Sequence, residues 1–162
     1  MMIVRAFVLL ILVASHWGAS ATEQPKNVRS GPYVFCNVFA SDACFGIAQG
    51  DKLSMEIVID FVLYHISFSS GRSATIYSGY HPDLSKSQGK TFEKCGNNSF
   101  TECKRRNLDD GGVELLAQRD KQSQFLHVIV SAGAAKDTPL VESFLQNIRS
   151  CNRTGDVIRC AP

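Results

Sequence analysis

The chain has 162 residues, 44% of them hydrophobic, with 17 basic and 15 acidic side chains and a formal charge of +2. That length suits one domain with a single core. The near-balance of charge argues against nucleic acid as the partner, because phosphate binding needs a clear surplus of Lys and Arg.

Residues 1–21 have the form of a secretory signal. Arg5 supplies the positive start, residues 6–14 are an apolar run, and Ala19-Ser20-Ala21 gives the small-x-small cleavage pattern, so the mature chain is expected to begin at Thr22. Nine apolar residues before His16 are too few to span a bilayer. No later run is long or apolar enough for a span, so no membrane segment is expected in residues 22–162. Cleavage also removes Arg5 and Trp17, leaving a formal charge of +1.

All six cysteines lie beyond the signal: Cys36, Cys44, Cys95, Cys103, Cys151 and Cys160. An even number in an exported chain reads as disulfides. The cysteines fall into three close couples, so local pairing is expected: Cys36–Cys44, Cys95–Cys103 and Cys151–Cys160. Each short loop is worth about 2.5 kcal/mol by closure entropy. A zinc site is the competing reading; no Cys-x-x-Cys occurs and the histidines are scattered, so no metal and no cofactor is expected.

Residues 22–33 are polar and read as a leader onto the domain, followed by a first strand over 33–39. Residues 53–68 hold Ile57, Val58, Ile59, Val62 and Ile66 with Phe61, Tyr64 and Phe68, a composition that favours strand. Apolar residues at both parities point to a central strand covered on both faces, bent near Asp60. A helix over 53–59 is the alternative. Residues 69–72 turn, and residues 74–80 return as a strand that Pro82 ends.

Residues 83–112 are rich in Ser, Lys, Gly, Asn and Asp, and Cys95 with Cys103 is expected to organise them. Residues 109–112 turn into the hairpin of residues 113–118 and 125–131. A helix follows: Thr138 is the N-cap, Pro139 the first helical position, and Val141, Phe144, Leu145 and Ile148 form one apolar stripe. Together these predict an α+β domain over 22–162: a twisted antiparallel sheet of about five strands, with the helix of residues 138–150 packed on one face and disulfides pinning the loops.

Candidate site residues are few. His65 and His127 lie within strand-like runs and read as packed or solvent-facing. His81 sits in Tyr80-His81-Pro82-Asp83, where a strand ends, and Tyr77, Tyr80, His81 and Asp83 make a candidate recognition surface. No Gly-x-Ser-x-Gly elbow, His-Glu-x-x-His or phosphate loop is present, so no catalytic residue is assigned. Lys104-Arg105-Arg106 is the one basic cluster and reads as a solvated face. Asn97-Asn98-Ser99 and Asn152-Arg153-Thr154 fit the N-glycosylation pattern.

Two stretches, Ile76-Tyr77-Ser78-Gly79-Tyr80-His81-Pro82-Asp83 and Phe144-Leu145-Gln146-Asn147-Ile148-Arg149, carry a resemblance. With residues 60–66 and His127-Val128, this order of motifs resembles small uncharacterised exported proteins of proteobacteria. The ending is similar to the sheet-plus-terminal-helix layout of PsbP-like domains. The resemblance implies a periplasmic or secreted address and no particular activity. The reading is an exported binding or inhibitor-type domain with a protein partner in the envelope, such as an immunity protein against a secreted toxin or hydrolase. The alternatives are a small hydrolase with His81 or His127 as base, and an envelope structural protein.

Overall fold

The hairpin at residues 113–130 forms the middle of the fold in the computed structural model, which describes residues 36–84, 88–96, 99–133 and 138–161. All of these lie in one unit, Gly31–Pro162. The signal expected over residues 1–21 and the Asn97 and Asn98 positions of the first glycosylation tripeptide lie outside the described residues.

Among the described residues, eleven strands and one helix run in the order β1 (Val38–Ala40), β2 (Ala43–Phe45), β3 (Lys52–Ile57), β4 (Phe61–Ser67), β5 (Ser73–Gly79), β6 (Glu93–Lys94), β7 (Glu102–Asn107), β8 (Val113–Gln118), β9 (Phe125–Val130), α1 (Thr138–Gln146), β10 (Arg149–Thr154) and β11 (Val157–Cys160). Seven strands form one sheet in the order β3-β4-β5-β9-β8-β7-β6, and four form another in the order β1-β2-β10-β11. Every pairing is antiparallel. The large sheet is two meanders joined where β5 meets β9.

This corrects the expected α+β architecture of about five strands and a terminal helix. The protein is mostly β, in two sheets, and α1 has only nine residues. The helix ends at Gln146 instead of 150 because the chain there is taken by another sheet: Arg149 and Ser150 pair with Cys44 and Ala43 of β2. Arg149 Nη1 donates to the Gln146 and Ile148 carbonyls, closing the helix end with a cation where the dipole favours one.

Residues 53–68 are a hairpin, not one bent central strand. The chain reverses over residues 58–60, closed by Val58 N–H to Phe61 O at 2.9 Å, and β3 becomes an edge of the sheet. At residues 108–112 the Leu108 amide bonds to Gly112 O, the Gly111 amide to Leu108 O, and the Gly112 amide to Asp110 Oδ1. Gly111 holds φ of 86° there, a conformation costly for any side chain with a Cβ.

Register assigns the two faces of the large sheet. Tyr64, Ile76, Val128 and Leu115 stand in one cross-strand row, and Ile66, Ala74, Val130 and Val113 in the next. These side chains are buried against Ala40, Ala43 and Phe45 of the small sheet and Val141, Phe144 and Leu145 of α1. Phe45 packs edge-on against Tyr64 and Phe144, and Phe144 against Phe68. Each such pair contributes about 1 kcal/mol beyond its burial. Burial also raises the pKa of the Tyr64 phenol.

Three disulfides join Cys36 to Cys44, Cys95 to Cys103 and Cys151 to Cys160, with Cα separations of 5.1, 5.3 and 3.9 Å. Among the described residues no cysteine is free and no helix is long and apolar enough to cross a membrane.

Candidate functional site

One end of the large sheet gathers the residues singled out at the end of β5. Gly79 is opposite Phe61 on one side and Phe125 on the other, and Tyr77 stands two residues earlier on the same face. The Phe61 and Tyr77 rings lie 5.1 Å apart, and Tyr77 Oη accepts the His81 N–H at 3.0 Å. A Cβ on Gly79 would meet both Tyr77 and Phe61, so only glycine lets the two rings close over the strand. Tyr77 is thus half-buried and structural, whereas Tyr80, His81 and Asp83 are exposed beyond it.

Edge strand β3 adds an apolar row that sequence patterning did not single out. Leu53, Met55 and Ile57 are opposite Ile66, Tyr64 and Val62, and therefore continue the core face of the sheet. The small sheet covers β4, where Tyr64 Oη donates to Phe39 O, but every residue of β3 is exposed. Met55 is 55% exposed, Ile57 72%, Tyr80 53%, and Ile59 at the hairpin tip is fully open. Ile57, Ile59 and Tyr80 all lie at the same end of the sheet.

The opposite face of the sheet holds a buried ionic chain. His127 Nε2 is 2.6 Å from Glu114 Oε1, and Arg106 Nε donates to Glu114 Oε2. Glu114 is fully buried, the His127 side chain is 6% exposed, and the Arg106 guanidinium lies 4.3 Å from the centre of the Phe92 ring. Glu114 satisfies an imidazole and a guanidinium at once, which is what allows a carboxylate to be buried. His127 is thus a buried, packed histidine whose Nε2 is engaged by Glu114. His65, by contrast, is exposed, with Nδ1 3.5 Å from Thr75 Oγ1.

The basic cluster is also not the solvated face expected. Alternation along β7 sends Arg106 to Glu114 and Arg105 to the core side, where its guanidinium holds both oxygens of Glu142 on α1 at 2.9 and 2.7 Å. Lys104 is exposed. The bidentate bond to Arg105 lowers the Glu142 pKa and raises that of Arg105, burial opposing both.

The β8–β9 loop rises at the same end as Tyr80 and lines an open cleft of about 530 Å³ with Asp42, Arg119, Asp120, Lys121, Gln122 and Ser123. Arg119 bridges the two sheets here, pairing with Asp42 at 2.9 Å and Asp120 at 3.0 Å and donating to the Cys151 carbonyl at 2.9 Å. Asp120 is held to a pKa of about 2 by hydrogen bonds from Ser123, then Arg119, then the Gln122 amide.

Compared with protein families, with curated proteins and with solved structures, the chain matches none.

Proposed function

We propose that this protein is a secreted or periplasmic, disulfide-bonded binding domain that takes an extended segment of a protein partner along β3. The observation that carries this reading is the exposed row Leu53, Met55 and Ile57 on an edge strand, flanked by Ile59 and Tyr80. A sheet edge offers unpaired backbone donors and acceptors to an incoming strand, and alternate side chains give it selectivity. Edge strands are ordinarily protected by inward charges or proline; β3 places Lys52, Ser54 and Glu56 on the outer face and only apolar side chains on the core face. Tyr80 and His81 extend the contact around the sheet end, with Tyr77 positioning the loop that bears them.

Three disulfides suit an oxidising compartment, where they hold the loops between short strands without a large core. The exported, oxidised protein, immobilised and exposed to envelope extract of its host, tests the proposal against an Ile57→Lys column. A protein retained by the first and lost from the second supports strand addition at β3. Equal retention on both columns, or none on either, overturns it.

A further inference from the structure

Four of the six cysteines converge although they come from opposite ends of the domain. Cys44 is opposite Arg149, and the Cys151 amide donates to Asp42 O at 2.7 Å, so Cys44 and Cys151 lie diagonally on one side of paired strands β2 and β10. Cys160 is directly opposite Cys151 on β11, and Cys36 is joined to Cys44. All four Sγ atoms lie within 4.8 Å of one another, Cys44 and Cys151 buried and Cys36 and Cys160 half-buried.

We propose that this cluster is a redox-gated four-cysteine metal site: two disulfides in the oxidised chain, and four thiolates holding one Zn²⁺ in the reduced chain. Tetrahedral zinc, with Zn–S bonds of about 2.3 Å, needs its sulfurs about 3.8 Å apart. Separations between the two pairs already fall below 4.8 Å, so each bonded pair need part by only roughly 2 Å. The Cys-x-x-Cys spacing is absent because cross-strand pairing, and not a local turn, assembles the set.

The chemistry balances simply. Each disulfide takes two electrons from a dithiol or phosphine reductant and two protons, giving two thiols. Zn²⁺ then displaces the four thiol protons to solvent and leaves a zinc tetrathiolate of charge −2. The Arg119 guanidinium holds the backbone of one ligand, donating to the Cys151 carbonyl at 2.9 Å. Cys95 and Cys103 join β6 to β7 outside the cluster and can be removed without touching it.

The test uses the full chain carrying Cys95→Ser and Cys103→Ser, reduced with a phosphine under anaerobic conditions and titrated with Co²⁺ and then Zn²⁺. One Co²⁺ per chain is expected, with thiolate charge-transfer and tetrahedral ligand-field bands, displaced by one Zn²⁺. Cys44→Ser or Cys151→Ser should weaken binding by more than about tenfold, and the oxidised protein should show no such bands. The reduced chain in denaturing urea is the control for a site made by folding, and it should bind more weakly. Absence of the bands, binding unchanged in either serine variant, or equal affinity in urea overturns the proposal.

Discussion

Glu114 shows how a single carboxylate can organise one face of a sheet. His127 and Arg106 reach it from the strands on either side and make its burial tolerable. Glu114→Gln should therefore cost about 3–5 kcal/mol, since Arg106 and His127 are left without their anion, while Lys104→Ala on the adjacent position should stay within about 0.5 kcal/mol. Urea-unfolding midpoints of the two variants check this; similar midpoints would show the ionic chain to be idle. Acid acts on two other carboxylates. Glu142 and Asp120 both have folded pKa values below their ordinary ones, Asp120 near 2. Their contributions are complete above the ordinary values of 4.5 and 3.8 and fade as pH falls through the folded ones. The wild type should lose stability between about pH 5 and about pH 2 more steeply than Arg105→Ala combined with Asp120→Asn, as read by unfolding midpoints across that range. The pairing of His127 with Glu114 was within reach of the sequence: a hairpin with Gln118 opposite Phe125 places Glu114 diagonally to His127. Arg106 was not, because nothing in residues 83–112 fixes the register of β7.

At the scale of elements, β3 and β5 have similar apolar content and opposite surroundings. Ile57→Lys, on exposed β3, should change stability by no more than about 0.5 kcal/mol, whereas Ile76→Ala in the core should cost about 2–5 kcal/mol. Denaturant titration of both variants is the check, and a large loss at Ile57 would mean that β3 is buried. The β character of residues 53–68 could be read from their β-branched residues, but not their reversal over residues 58–60. Apolar residues at both parities are what a doubly covered strand and an apolar hairpin with an open edge both look like. The start of α1 could be read from Thr138 and Pro139; its end could not, because pairing of Arg149 and Ser150 with β2 is a contact across more than a hundred residues.

For the whole molecule, the strands outnumber the expected five because several of them carry no strand signal of their own. Strands β6, β7 and β10 read Glu-Lys, Glu-Cys-Lys-Arg-Arg-Asn and Arg-Ser-Cys-Asn-Arg-Thr. They are strands because β8 offers an edge to β7, β7 to β6 and β2 to β10, and disulfides tie β6 to β7 and β10 to β11. The same assembly leaves β3 as an open edge of the large sheet, and the functional proposal rests on that edge. Amide hydrogen exchange of the free, oxidised protein tests it most directly. Residues 52–57 should exchange fast at the amides not bonded to β4, far ahead of β5, β8 and β9, whose neighbours lie on both sides. Protection of β3 equal to that of β9 would contradict the account, because the edge offered to a partner would already be covered.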